Sequence, residues 1–153
     1  MSAIAQPSGA LTPPRAAAVA GVLFALLLGT SLIIIRLAVP PYQRDPGLWL
    51  TDPDRRNAVR FAVQLAPFAG IAFLWFIGVI RNRLGALEDQ FFATVFLGSG
   101  LLFVATLFTS AALSAALVET AAGGHITSTN SESYFVTRQL IGAFVNIFAI
   151  KMA

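Results

Sequence analysis

The chain has no cysteine, one histidine and few charged residues. Without cysteine it has no disulfides, thiolate metal sites, iron–sulfur ligands or cysteine nucleophile. Its one histidine, His125, follows two glycines in a polar segment, so paired haems, whose axial ligands are usually histidines on helices, are excluded. Charged residues make up 11% of the 153 positions, against roughly a quarter in ordinary soluble domains. No cofactor is predicted, and the low charge favours an integral membrane protein.

Hydrophobic residues make up 57% of the chain and fall in long uncharged runs. Residues 16–35 and 61–80 form two runs of 20, and residues 91–118 form a run of 28. About 20 apolar residues in a helix span the hydrocarbon core of a bilayer. The last segment, residues 134–153, holds only 12 uncharged residues between Arg138 and Lys151. It crosses a membrane only if both of these side chains snorkel to the interfaces.

The predicted fold class is therefore all-α, a polytopic transmembrane helical bundle. The chain would consist of a disordered tail at residues 1–14, rich in Ala, Ser, Pro and Gly, and one transmembrane domain at residues 15–153. The four predicted spans lie at about residues 16–39, 54–80, 88–119 and 134–153. A signal peptide is the alternative for the first run, but its apolar region would be about 7–15 residues long. The abrupt ending after Lys151 suggests that the last span is truncated.

A short turn containing Arg81, Arg83, Glu88 and Asp89 predicts the orientation. Short loops that carry arginine lie mostly in the cytoplasm, and acids in the first turn of a helix are favoured by its dipole. The turn is predicted to be a cytoplasmic ion-pair and capping site, with an ion or proton entry site as the alternative. The amino terminus would then be cytoplasmic, in the plasma membrane, with residues 40–57 and 120–137 outside. The arginines around the first outer loop oppose this orientation: Arg36, Arg44, Arg55, Arg56 and Arg60.

Four further positions predict local features of the bundle. Pro67 should kink the second helix, because it has no N–H to donate to the carbonyl of Val63. This kink would be either packing geometry or a functional hinge. Trp49 is expected at the membrane interface with its N–H in water, and Thr51 is expected to cap the second helix. Asn146, at mid-depth in the last span, should bond to a partner within the bundle.

The third predicted helix carries two rows of small or hydroxylated residues. One row consists of Ser99, Thr106, Ser110 and Ser114. The adjacent row consists of Gly98, Ala105, Thr109, Ala112 and Ala116. Small side chains let helices approach closely, and hydroxyl groups can form hydrogen bonds across the contact. These rows predict the packing face of the bundle, with a polar pathway as the alternative.

The predicted function is that of a non-catalytic membrane subunit or interaction protein that packs through the third helix. The candidate helix-packing or polar-path residues are Gln64, Pro67, Gly98, Ser99, Thr106, Ser110, Ser114 and Asn146. The alternative is a fragment of a small-molecule or ion transporter or channel, with a path lined by Gln64, Thr106, Ser110 and Asn146. No pattern predicts catalytic residues or a metal site. The predicted partners are membrane lipids and other transmembrane helices or a second copy, but not nucleic acid, because the basic residues form no run.

Two stretches resemble a group of bacterial, largely actinobacterial, multi-pass membrane proteins of unknown function. The first combines Arg83-Leu84-Gly85 with Glu88-Asp89 and the string FFATVFLGSGLLF at residues 91–103. The second is NIFAIKM at residues 146–152. The resemblance covers roughly residues 40–153 and carries no assigned activity. It implies a chain that continues beyond Ala153 into about two more spans.

Overall fold

The computed structural model describes residues 13–41, 47–84, 90–124 and 132–151. Within these ranges every regular element is helical. The elements are α1 (Pro13–Ala38), a short 3-10 helix (Leu48–Thr51), α2 (Pro53–Gln64), α3 (Ala66–Leu84), α4 (Gln90–Ala122) and α5 (Glu132–Lys151). The described part of the chain is thus all-α, as its sequence predicts.

Three helical segments are long and apolar enough to cross a membrane. They are Arg15–Ala38, Pro53–Asn82, which combines α2 with most of α3, and Phe91–Ala122. Helix α5 has 20 residues but carries Glu132, Arg138 and Lys151, and it is not among the three. The fourth span therefore stays a prediction.

Helix α1 begins inside the segment that was predicted to be a tail. Its first residue is Pro13, and proline suits the first turn of a helix because no N–H is needed there. The remainder of the predicted tail, residues 1–12, lies outside the described residues. A helix of 26 residues is about 39 Å long, so α1 exceeds the thickness of a hydrocarbon core.

The start of α2 is capped by Asp52. Its Oδ1 atom accepts hydrogen bonds from the backbone N–H groups of Asp54 at 3.0 Å and Arg55 at 3.4 Å. The prediction that Thr51 caps α2 is wrong by one residue, because Thr51 still belongs to the 3-10 helix. Its hydroxyl donates to the carbonyl of Leu48 at 2.7 Å. The carboxylate of Asp52 therefore satisfies the first free donors of the helix.

Helical bonding is interrupted at Leu65, between α2 and α3. The N–H of Leu65 donates to the carbonyl of Ala62 at 3.2 Å, and α-helical bonding resumes with Ala69 donating to Leu65 at 2.9 Å. The interruption lies two residues before Pro67, which has no N–H to offer the carbonyl of Val63. The sequence predicts that Pro67 interrupts the second helix, and the break in α-helical bonding at Leu65 lies close to that position.

The bundle is built around contacts of α1 with α3 and of α3 with α4. Helix α2 packs on α1 and α4, and α5 packs on α4. Where α1, α3 and α4 meet, the rings of Phe24, Phe73 and Phe103 form a cluster. Their centroids are 4.9 Å apart for Phe24 and Phe73, and 4.5 Å apart for Phe73 and Phe103. Contacts between half-buried aromatic rings therefore join these three helices.

Two glycines allow the helices around this cluster to approach closely. A Cβ atom on Gly70 of α3 would lie 2.5 Å from the ring of Phe108, and one on Gly100 of α4 would lie 2.7 Å from Cδ1 of Ile77. Both distances are shorter than van der Waals contact allows. The positions therefore require glycine unless a neighbouring side chain moves.

Candidate functional site

One end of the bundle carries the 3-10 helix and is called the loop-side end below. A connected core of buried residues lies there: Ala38, Val39, Trp49, Leu50, Val59, Leu117, Val118 and Tyr134. Trp49 is only 4% exposed, and its Nε1 donates to the hydroxyl of Tyr134 at 3.3 Å. The prediction that the indole N–H lies in water is therefore wrong. The indole bonds to a side chain of α5, while the neighbouring Leu48 is 60% exposed.

Arginine side chains tie the connecting segments to the helices at the loop-side end. Arg56 donates to the carbonyl of Leu50 at 2.7 Å, and Arg138 of α5 donates to the carbonyl of Pro40 at 3.1 Å. These bonds satisfy carbonyl groups in the 3-10 helix and in the segment after α1. Arg60 and Glu119 form an ion pair at 2.7 Å between α2 and α4. Because both side chains are solvent-exposed, this pair contributes only about 0–1 kcal/mol.

An open cavity of about 670 Å³ lies between α1 and α5, with α2 and α4 forming its other walls. It is called the α1/α5 groove below. Most of its lining is apolar and includes the indole of Trp49. The polar residues in the lining are Ser31, Arg36, Ser110, Ser114 and Arg138. The groove therefore combines a hydrocarbon-like wall with two guanidinium groups.

The hydroxyl groups in this lining already donate to backbone carbonyls. Ser31 of α1 donates across the helix contact to Ala62 of α2 at 2.8 Å. Ser110 donates to the carbonyl of Thr106 at 2.9 Å, and Ser114 donates to the carbonyl of Ser110 at 2.8 Å. Their donor capacity is therefore used. Apart from the two arginines, the groove offers little to a polar ligand.

The hydroxyl row of α4 forms hydrogen bonds within its own helix. Ser99 donates to the carbonyls of Val95 and Phe96 at 3.0 Å, and Thr106 donates to that of Phe103 at 2.8 Å. Ser110 and Ser114 follow the same pattern. Ser31 on α1, by contrast, donates across a helix contact to α2. The sequence offered no signal for it, because Thr30 and Ser31 form no row of hydroxyl groups along the otherwise apolar run.

The small-residue row of α4 lies on the outside of the bundle. Gly98, Ala105, Thr109, Ala112 and Ala116 are all exposed, and together they are called the outer face of α4 below. The helix packs through another side, on which Ala93, Gly100 and Val104 are buried. The outer face is therefore a lengthwise strip of small side chains with no helix of the described bundle against it.

The remaining path and packing candidates are dispersed. Gln64, Pro67 and Asn146 are exposed, and Asn146 has no hydrogen-bond partner within the part of the chain described here. Thr106 is half-buried. Of the four residues predicted to line a transport path, Ser110 is the one that lines the α1/α5 groove.

The candidate ion-pair turn falls mostly outside the described residues. Arg81 is exposed near the end of α3, and the side chain of Arg83 is not described. Glu88, Asp89 and His125 also lie outside the described ranges. Because α3 extends to Leu84, both arginines belong to its C-terminal part, where the helix dipole favours positive charge.

Comparisons of the chain with protein-family models, with curated proteins and with solved structures found no match. The resemblance to bacterial multi-pass proteins stays a prediction. The two surfaces described above, the α1/α5 groove and the outer face of α4, are therefore the basis for inferring a function.

Proposed function

We propose that this chain is a non-catalytic subunit of a membrane assembly and that a partner transmembrane helix packs on the outer face of α4. The supporting observation is the exposure of all five small residues of that face along one helix. Their successive intervals of seven, four, three and four residues keep them on one side of α4. A partner helix can approach such a strip closely enough for backbone-to-backbone contact.

The surroundings of the outer face also favour a helix as partner. Exposed large apolar residues flank the strip, including Leu101, Leu102 and Phe108. They would form the sides of a shallow channel whose floor is made of the small residues. Lipid chains pack equally well against large side chains, so contact with lipid alone does not explain why small residues line this strip. The partner is another transmembrane helix, from a second copy or from a different membrane protein.

Cross-linking tests this proposal directly, since the chain has no native cysteine. Ala112→Cys on the outer face, in native membranes, should cross-link to a protein. The matched control is Ala25→Cys, at an exposed alanine on α1. An adduct of twice the subunit mass would indicate a second copy, and another mass a different protein. Equal, background-level cross-linking at both positions would contradict the proposal.

A second variant measures the close approach itself. Ala112→Leu should weaken the complex by about tenfold, because overpacking a tight contact costs about 1–3 kcal/mol. Ala25→Leu should leave it unchanged. Co-purification of the partner found with Ala112→Cys, from detergent of fixed concentration, provides the measurement.

We further propose that α5 is a fourth span, that the protein lies in the plasma membrane and that its amino terminus is cytoplasmic. The two exposed asparagines Asn57 and Asn82 lie at opposite ends of Pro53–Asn82 and provide matched positions for labelling. In intact cells an impermeant thiol reagent should label Asn57→Cys and should label Asn82→Cys only after permeabilisation. The reverse pattern would overturn the orientation.

Transport stays the alternative prediction. Its four path residues contribute one side chain, Ser110, to the α1/α5 groove, and that hydroxyl already donates to the carbonyl of Thr106. Gln64 and Asn146 are exposed and are not part of the groove lining. The subunit function is therefore the one that the described geometry favours.

A further inference from the structure

We propose that the α1/α5 groove binds an anionic phospholipid. The head-group phosphate would contact Arg36 and Arg138, and an acyl chain would lie along the apolar wall. The groove lies between α1 and α5 and does not include the outer face of α4, so this lipid site is independent of the proposed helix partner.

The wall of the groove suits a hydrocarbon chain. Its volume of about 670 Å³ lies within the range of roughly 300–1,000 Å³ that is typical of sites for small molecules. Side chains from every wall are aliphatic: Leu28, Leu32, Val63, Leu107, Ile141 and Val145. The serine hydroxyls in the lining donate to backbone carbonyls. A sugar or a polar peptide would therefore find few groups along this wall to replace its hydrogen bonds to water.

The two arginines lie at the same end of the groove. Arg36 is in the last turn of α1. Arg138 donates to the carbonyl of Pro40, two residues after the end of α1. Arg36 is exposed and forms no hydrogen bond or ion pair with the described part of the chain. A guanidinium group presents several N–H donors in a plane that matches two phosphate oxygens. The bond to Pro40 thus holds one such group at the groove while Arg36 is available as the second.

Charge selects the occupant among the apolar candidates. The described lining contains two guanidinium groups and no carboxylate. The acyl chain of a zwitterionic lipid would pack equally well against the apolar wall, but this lipid brings no net negative charge to the arginines. An apolar partner helix would bring no negative charge to either arginine. An anionic phospholipid supplies both the chain and the charge, since each arginine near a membrane surface attracts such lipids.

Trp49 provides a reporter because its side chain lines the groove. The chain has two tryptophans, and Trp75 is exposed on α3 and does not belong to the lining. In a Trp75→Phe background, the full chain would be placed in phosphatidylcholine vesicles with increasing amounts of a lipid brominated on its acyl chain. Brominated phosphatidylglycerol should quench Trp49 at a mole fraction roughly tenfold lower than brominated phosphatidylcholine does.

Charge-removing variants test the role of the arginines. Arg36→Gln should reduce the preference for phosphatidylglycerol about fivefold, and Arg138→Gln by a similar factor. Arg55→Gln is the matched control, since Arg55 lies at the same end, pairs with Asp52 and is outside the groove. It should leave the preference intact. Arg36 has no bond to lose within the described chain, so its variant keeps the test valid if Arg138→Gln impairs folding.

Three results would overturn the lipid site. They are equal quenching by both brominated lipids, an unchanged preference in Arg36→Gln, and no quenching by either lipid, which would mean that something other than lipid fills the groove. None of these results concerns Ala112. The proposal of a helix partner on the outer face is therefore tested independently by cross-linking.

Discussion

The two halves of this bundle are held together in different ways. At the loop-side end, hydrogen bonds of Trp49 with Tyr134 and of Arg138 with Pro40 join segments far apart in the chain, and Arg56 adds a local bond to the 3-10 helix. Around the phenylalanine cluster, α1, α3 and α4 fit together through ring contacts and through the absence of side chains at Gly70 and Gly100. The first half depends on side chains that form hydrogen bonds, and the second depends on ring contacts and on positions without a side chain, where a neighbouring residue packs against the helix.

This difference predicts opposite sensitivities to mutation. The loop-side end should lose stability when a side chain is removed, because a buried donor or acceptor then lacks its partner. The phenylalanine half should lose stability when a side chain is enlarged, because tightly packed helices have no room for added atoms. The three predictions below test this contrast, starting with the largest effect.

Trp49→Ala should reduce the free energy of unfolding by about 3–5 kcal/mol, because it removes a large buried side chain and its bond to Tyr134. Trp75→Ala is the control on α3, where the indole is 46% exposed, and should cost less than about half as much. Unfolding by sodium dodecyl sulfate in mixed micelles would measure both. Equal losses would mean that the loop-side core is not the stabilising element.

Gly70→Ala should cost about 1–3 kcal/mol, because the new methyl group would lie 2.5 Å from the ring of Phe108. Gly78→Ala is the same substitution on the same helix with nothing within 4 Å of the added atom. It should be neutral or stabilising by up to about 1 kcal/mol, since alanine favours the helical backbone. The same unfolding assay applies. A loss at Gly78 as large as that at Gly70 would refute the close-contact explanation.

Ser31→Ala should cost about 0.6 kcal/mol and no more than about 1.7 kcal/mol, the average and the maximum measured for hydrogen bonds between helices in a membrane protein. Its hydroxyl bonds α1 to the carbonyl of Ala62, next to the break before Pro67. Ser99→Ala removes a hydroxyl that bonds within its own helix and should be close to neutral. Indistinguishable unfolding of the two variants would show that the contact between α1 and α2 does not depend on Ser31.

The positions of the helices could be predicted from sequence because apolar runs, charges and prolines mark them directly. Residues 16–39 and 88–119 were predicted as spans, and the helices Pro13–Ala38 and Gln90–Ala122 cover nearly the same stretches. The interruption before Pro67 follows from the chemistry of proline alone. The errors at helix ends are small, as at Asp52, where two adjacent residues could each provide a cap.

The orientation of each helix about its axis could not be predicted. In a soluble protein the contrast between polar and apolar faces shows which side is buried, but both sides of a membrane helix are apolar. The sequence therefore identified the row Gly98 to Ala116 without showing that it faces outward. Trp49 was misplaced for a related reason: tryptophan suits both the membrane interface and a buried site with a hydrogen-bond partner. That partner, Tyr134, lies 85 residues further along the chain.

That separation has a consequence for how the protein is made. A ribosome adds about 5–20 residues per second, so the 85 residues between Trp49 and Tyr134 take roughly 4 to 17 s to synthesise. During this interval α1 to α4 can enter the membrane while the indole N–H still lacks its final acceptor. The loop-side end can close only when α5 arrives. Its closure is therefore a late event of biogenesis, and the emission of Trp49 in ribosome-bound chains of increasing length would report when it takes place.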